Sequence, residues 1–246
     1  MKSSLKIALK YYLKIVARLA LIIHRPTIIA IAGSTNKTII KSQITSELSK
    51  EREVRSNARG FNTEIGLPVA ILSLPSGYGS YKAWFSVILR APLAIFDARF
   101  PKVLVLELGV SKPGDMKYLL SIIRPHIAII SDITQRYIGS FSNMGQLVKE
   151  YEYLLNHLRK NAVAVLNSDN MKIFEISKAV NCKKIFFGFG DDADFKVTEC
   201  VAKLEKQSIR VSVGGEIKGY EISRPGRHQV YAALAAKISE EAIKAF

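Results

Sequence analysis

The chain has 246 residues, 48% hydrophobic and 23% charged, enough for one large domain or two small ones and inconsistent with wholesale disorder. Thirty-six Lys and Arg against 21 Asp and Glu give a net charge of +15, which points to anionic partners: nucleotides, nucleic acid or an acidic membrane surface. Cys182 and Cys200 form no metal-type spacing, and His24, His126, His157 and His228 are scattered, so no zinc site is expected and the cysteine usage fits a reducing compartment.

Residues 1–24 contain no acid; the first in the chain is Glu47. Lys2, Lys6, Lys10, Lys14 and Arg18 recur every four residues and form a slowly drifting basic stripe on a predicted helix, with Leu5, Leu9, Leu13, Val16 and other apolar residues between them. Its longest uncharged run, Leu19 to Ile23, is far too short to span a bilayer, and no signal-type cleavage site follows. Two readings stand: a basic amphipathic helix making peripheral contact with an anionic membrane, or a helix packed on the domain with its lysines in water. The breadth of the apolar face favours packing, with Ile15, Leu19 and Ile22 leading at helical spacing into the first strand.

The next stretch, Thr27–Lys41 (TIIAIAGSTNKTIIK), reads as strand, tight loop and helix. Backbone N–H groups of Gly33, Ser34, Thr35 and Asn36 and the helix start would cradle a phosphate, Lys37 would reach the outer phosphates, and the Thr38 hydroxyl would sit on Mg²⁺. The full phosphate-loop pattern fails twice, since Asn36 and Ile31 stand where it has Gly. Asn tolerates a left-handed backbone, so the loop shape survives, but its side chain would crowd the phosphates. The plainer alternative is an ordinary strand–turn–helix with a lysine at the helix start.

Beyond a polar stretch at 51–59, Phe61–Pro68 is a loop entering a short helix, and Gly77–Ser80 is another loop. Trp84–Phe100 has a helical period interrupted by Pro92. Buried strands are predicted at Lys102–Leu108, His126–Ser131, Ala162–Leu166 and Lys183–Phe187, and helices at Pro113–Ile123, Asn143–Leu158 and Asp169–Val180. That alternation predicts an α/β fold with a doubly wound, mostly parallel sheet. Phe195–Val201, Ser208–Val213 and Glu216–Ile222 then read as a small antiparallel segment within 194–223, with Gly214-Gly215 as a hairpin turn, before a terminal helix at 227–246.

Polar groups fall just beyond the carboxyl ends of the predicted strands: the 33–38 loop, Glu107, Asp132 and Asn167. Open α/β sheets bind ligands at that edge. Glu107 interrupts a Val/Leu run, where a buried carboxylate needs a partner or a metal; with Thr38 across the edge, Mg²⁺ is the economical explanation, and a neighbouring Lys or backbone N–H groups are the alternative.

Six motifs in order then carry a resemblance: AGSTNKTIIK (32–41), FNTEIGLP (61–68), VLELGVSKPGDM (105–116), RPHIAIISDI (124–133), AVAVLNSDN (162–170) and GRHQVYAALAA (226–236). Residues 25–246 resemble the central ATP-binding domain of the Mur ligase family, most closely its UDP-N-acetylmuramoyl-tripeptide–D-alanyl-D-alanine ligase branch. The resemblance implies ATP-dependent phosphorylation of a carboxylate on a UDP-linked peptidoglycan precursor, then attack by the amino group of an amino acid or dipeptide to give an amide, in the cytoplasm. It assigns Lys37 to the β/γ-phosphates, Thr38 and Glu107 to Mg²⁺, Asn167 and His228 to adenine and ribose, and Asn62 and Thr63 to the UDP-sugar.

The departures are as specific. The family's loop Gly is Asn36, two Thr after Lys-Thr are Ile39 and Ile40, and a metal-binding His is Tyr137. The position of the family's carboxylated lysine falls on Glu150 or Tyr151; Glu150 could supply a carboxylate there. The Asn after the family's His is Gln229. The family's third domain, which recruits the amino acid and closes over ATP, has no counterpart, and the basic helix stands in place of most of the first. A separate C-terminal ligase domain is therefore an expected partner. The readings are a Mur-type ligase or fragment, a non-catalytic nucleotide- or precursor-binding relative, and a basic membrane-associated module. Without aromatic–basic interleaving on a sheet face, no specific nucleic acid partner is expected.

Overall fold

The computed structural model describes residues 3–77, 80–135 and 138–246; Tyr78 and Gly79 of the predicted 77–80 loop, and Tyr137, lie outside the described residues. The elements in order are α1 (Ser3–His24), β1 (Thr27–Ala32), α2 (Lys37–Leu48), β2 (Val54–Ser56), α3 (Gly66–Ile71), α4 (Tyr81–Arg90), β3 (Val103–Glu107), α5 (Asp115–Leu120), β4 (Ile127–Ile130), α6 (Met144–Asn156), β5 (Val163–Asn167), α7 (Met171–Ser177), β6 (Lys183–Gly188), β7 (Phe195–Ala202), β8 (Gln207–Val213), β9 (Glu216–Ile222) and α8 (Arg227–Ala242). Short 3-10 turns at Ala91–Phe96, Ile138–Ser140 and Ile243–Ala245 complete the set.

One sheet holds all nine of these strands in the order β2-β3-β1-β4-β5-β6-β7-β8-β9. Pairing is parallel from β2 through β7 and antiparallel for β7–β8 and β8–β9. The antiparallel strands thus extend the main sheet through two residue pairs, Phe187 with Phe195 and Gly188 with Lys196. Gly214 and Gly215 both take positive φ, 59° and 89°, as the tight turn between β8 and β9 requires.

The central strands are buried on both faces, which is why they read as continuous apolar runs. Ile28, Ala30, Leu104, Leu106, Ala128 and Ile130 face the layer containing α1, α3, α5 and α6. Their alternates Ile29, Ile31, Val105 and Ile129 face α2 and α8, where Ile40, Ile44, Val230 and Leu234 meet them.

Local differences from the sequence reading have physical causes. β2 is a three-residue, half-buried edge strand that exists through pairing with β3. α4 ends at Arg90 and gives way to a 3-10 turn because Pro92 removes an N–H donor. α5 starts at Asp115, so Pro113 precedes the helix and does not occupy its first turn; Gly114, at φ 87°, makes the entry. α1 packs on the sheet layer, but through Leu9, Leu13, Val16, Ala17 and Ala20; Ile15, Leu19 and Ile22, expected on the packing face, are exposed.

Candidate functional site

The strand order reverses at β1, with β3 and β2 on one side and β4, β5 and β6 on the other. The loop Gly33–Asn36 leaves β1 at this switch point, where open α/β sheets leave a crevice. Gly33 has φ +136°, and a Cβ there would collide with the Ser131 hydroxyl, so the turn admits only glycine. Asn36 holds the left-handed conformation, φ 62° and ψ −2°, that the loop shape demands, and its side chain does not cap α2.

The loop is tied to the end of β4. Ser34 N–H donates to the Asp132 carbonyl at 2.9 Å, Thr35 N–H donates to Asp132 Oδ1 at 2.7 Å, and the Thr35 hydroxyl donates to Asp132 Oδ2. Two of the N–H groups expected to receive a phosphate are therefore engaged by Asp132. Lys37 folds back, its ammonium donating to the Gly33 carbonyl at 2.6 Å. Burial pushes the Lys37 ammonium below the usual lysine range, against the pull of Glu107 and Asp132 in the other direction.

At the end of β3, Glu107 is buried and fully partnered. Thr38 Oγ1 donates to Glu107 Oε2 at 3.0 Å, Asn62 Nδ2 donates to Oε1 at 2.9 Å, and Lys41 Nζ lies 3.5 Å from Oε2. Asn57 fixes the backbone on the same residue, accepting from Glu107 N–H and donating to its carbonyl at 2.9 Å each, while Lys41 also donates to the Asn57 carbonyl at 2.6 Å. Of the alternatives open for Glu107, the lysine partner is the one observed, and Thr38 faces the same carboxylate across the edge.

Of the remaining expected residues, Asn167 is buried, donating to the Ser131 carbonyl at 2.8 Å and accepting from Asp169 N–H at 3.0 Å. His228 is exposed at the start of α8. That helix start is brought to β5 by Asp169, which accepts from Arg227 at 3.1 Å and from the Tyr231 hydroxyl at 2.7 Å. Burial would raise the Asp169 carboxyl, but Tyr231, the N–H groups of Phe189 and Gly190, and Arg227 outweigh it and hold it low; the same environment pushes Tyr231 up to about 12. Gln229 is buried, linking α8 to α2 by accepting from Gln43 at 3.2 Å. Thr63 lines a cleft of about 270 Å³ with Gly109, Lys112 and Tyr118, whereas the Asn62 side chain turns to Glu107.

Glu150 is engaged elsewhere: its carboxylate accepts from Gly114 N–H at 2.7 Å and Met116 N–H at 2.8 Å, capping the start of α5. Its neighbour Tyr151 is the residue at the loop, where its buried hydroxyl bonds Ser34; burial raises its pKa. Sequence reasoning did not single out Lys41, Asn57, Asp169, Arg227 or Tyr231. Lys41 carried a signal, since it shares a helical face with the apolar Ile44 and Leu48. Asn57 carried none. Among the described residues, no group of three or more His, Cys, Asp or Glu could hold a metal, so any cation here would need a ligand's own oxygens besides Thr38 and Glu107.

A glycine turn feeding a helix N-terminus at the switch point of a parallel sheet, with Lys, Thr and Glu around it, is the architecture of a phosphate-loop-type α/β domain. The chain belongs to the Mur ligase family: the model of the Mur ligase middle domain matches residues 31–239. It is 26% identical over 214 residues to the UDP-N-acetylmuramoyl-tripeptide–D-alanyl-D-alanine ligase of Buchnera aphidicola, covering 85% of this chain and 41% of the relative. It is 22% identical over 211 residues to the Escherichia coli ligase of the same name, covering 85% and 42%. The crystal structure of MurF ligase from Thermotoga maritima in complex with ADP shares the fold, with a TM-score of 0.77 at 20% identity over 99% of this chain and 50% of that one. The chain spans about two fifths of the length of these curated relatives.

Proposed function

We propose that residues 25–246 form the ATP-binding part of a Mur-type ligase. The observation that carries this is the meeting of Thr38 and Glu107, 3.0 Å apart, beside Lys37 and the N-terminus of α2. The relatives' names supply the reaction class. A carboxylate oxygen of a UDP-linked cell-wall precursor takes the γ-phosphoryl group of ATP, releasing ADP; an amine nitrogen of D-alanyl-D-alanine or an amino acid then attacks the carbonyl carbon, and phosphate leaves as the amide forms. Lys37 would swing from the Gly33 carbonyl to the β/γ-phosphates, and the first N–H groups of α2 would face the same charge.

Thr38 and Glu107 are the hydroxyl and carboxylate that would hold Mg²⁺ together with phosphate oxygens, and the ion would neutralise charge on the phosphates. This requires Lys41 and Asn62 to yield part of their hold on Glu107. Asn167 and His228 would border the base and ribose, and Thr63 and Asn62 the precursor. Glu150, the proposed stand-in for the carboxylated lysine, would have to exchange its bonds to α5 for this role. The setting would be the cytoplasm, where the nucleotide and precursor are, with a separate C-terminal ligase domain supplying the amine site.

Asp132 favours a second reading, a non-catalytic nucleotide- or precursor-binding relative, because its carboxylate takes loop donors that a phosphate would use. Calorimetric titration of ATP with and without Mg²⁺, on wild type and Lys37→Ala, tests the nucleotide site. Mg²⁺-dependent heat lost in the variant is expected; equal heats for both proteins would remove the proposal. Single-turnover assay for ADP release with precursor, and with a C-terminal domain added in trans, separates ligase from binding module.

A further inference from the structure

Packing uses only one of the two apolar faces of α1. Leu9, Leu13, Val16, Ala17 and Ala20 are buried, while Ile15, Leu19 and Ile22 are exposed, Ile15 at 58%. Beside α1 runs the segment of α4 and its 3-10 turn. The Tyr12 hydroxyl donates to the Ile88 carbonyl at 2.7 Å, and His24 Nε2 lies 2.9 Å from the Ile95 carbonyl. This second segment also exposes large apolar side chains: Leu89, Leu93 and Phe96, the last at 79%. Clusters of exposed Ile, Leu and Phe on adjoining elements mark an interaction surface.

The charge around this ridge is predominantly positive, and the two carboxylates nearest to it in the chain are paired, Glu64 with Lys6 and Lys10 of α1 and Asp97 with Arg55. No Asp or Glu occurs in residues 1–46 or 65–96, which contain both segments. At the C-terminal end of α1, Arg18 and Arg25 join Arg124 and Arg159 around a cleft of about 670 Å³ whose lining includes no carboxylate. Ile22 lines the same cleft, so the apolar ridge and the arginine cluster adjoin.

We propose that this face docks on an anionic phospholipid surface, with the Ile, Leu and Phe side chains at the boundary between headgroups and acyl chains and the four arginines on lipid phosphates. Charge selects this occupant. A second copy in a two-fold contact would bring the same positive rim against itself, which disfavours that pairing. Arginine stems lie along apolar surface while their guanidinium groups reach phosphate, so ridge and rim act at one depth. Among the described residues no helix is long and apolar enough to cross a membrane, so this is attachment at the surface. The proposal does not depend on the nucleotide site.

The test is co-sedimentation of the full chain with vesicles containing phosphatidylglycerol and with vesicles of phosphatidylcholine alone. Binding to the anionic vesicles only is expected. It should fall as salt rises from about 0.1 M to about 1 M, where the Debye length shrinks from about 10 Å to about 3 Å. Arg18→Gln/Arg124→Gln should lower the partition by about five-fold per charge removed. Leu93→Ser/Phe96→Ser should lower it further without lowering the melting temperature, because both side chains are exposed in the free protein. No sedimentation, equal binding to both vesicle types, or variants that sediment like wild type would overturn the proposal. So would a dimer in sedimentation equilibrium that Leu93→Ser/Phe96→Ser dissolves, since the occupant would then be a second copy.

Discussion

The carboxyl ends of β3 and β4 each present an acid to the loop between β1 and α2, and the two are held differently. Glu107 is held by side chains: the Thr38 hydroxyl, the Asn62 amide and the Lys41 ammonium. Asp132 is held by the loop itself, through the Thr35 N–H and hydroxyl. Side-chain donors can rotate away when a cation or phosphate arrives. Backbone N–H groups cannot be released without reshaping the loop. On the function proposed above, Glu107 could turn to a metal, whereas Asp132 would oppose phosphate binding by occupying donors and adding negative charge.

The largest effect that probes this contrast is on stability. Lys41 and Glu107 form a buried pair, and Lys41→Met leaves a buried carboxylate without its cation. A loss of about 3–5 kcal/mol is expected in chemical denaturation, since removing one partner of a buried pair carries that cost. The double variant Lys41→Met/Glu107→Gln should recover much of it. If Lys41→Met is neutral, Thr38 and Asn62 alone sustain Glu107.

Asp132→Asn comes next. It keeps an oxygen to accept from Thr35 while removing the charge beside the phosphate cradle, so affinity for ATP with Mg²⁺ should rise about ten-fold, or ~1.4 kcal/mol, by calorimetry. Unchanged or weaker binding would show that Asp132 does not compete with the nucleotide. A smaller gain, about two- to five-fold, is expected from Asn36→Gly, which removes a side chain from a left-handed position at φ 62°. Weaker binding in that variant would instead assign Asn36 a contact of its own.

The least effect comes from the opposite end of the strand that leads to Asp132. His126, just before β4, accepts from Ile28 N–H through Nδ1 at 3.0 Å, which requires that nitrogen unprotonated. Burial, with help from Arg159, pushes its pKa below the ordinary histidine value of 6.5. A base with a lowered folded-state pKa penalises the fold once protonated. Stability is therefore unaffected above pH about 6.5 and lost as pH falls through the folded-state value. Melting temperatures of wild type should drop in that window more than those of His126→Asn, which keeps an acceptor but does not titrate. Parallel curves would remove His126 from the acid response.

Much of this was legible in the chain. The β1 run, the glycine turn, the α2 apolar face and the buried runs of β3, β4 and β5 were readable because parallel strands buried on both sides leave unbroken apolar sequence. Asn36 was readable as a left-handed residue because few others tolerate that backbone. β2 was not, since a three-residue, half-buried strand has no pattern of its own. The ties of Lys41 and Asn57 to Glu107 span 66 and 50 positions, and no local period encodes such contacts.

The sequence by itself determined the order of elements, the edge of the sheet where polar groups gather and the acid-free, basic character of the N-terminal segment. Only the tertiary structure decided what each group faces. For α1, helical periodicity marks two apolar stripes and cannot choose between them. The sheet layer took the one with Ala17 and Ala20, whose small side chains let the helix approach closely, and left Ile15, Leu19 and Ile22 outside. For the site, each acid could have faced a metal or a donor, and the fold gave each a partner that satisfies its charge: Lys41 for Glu107 at the end of β3, the Thr35 N–H and hydroxyl for Asp132 after β4, and the start of α5 for Glu150 on α6.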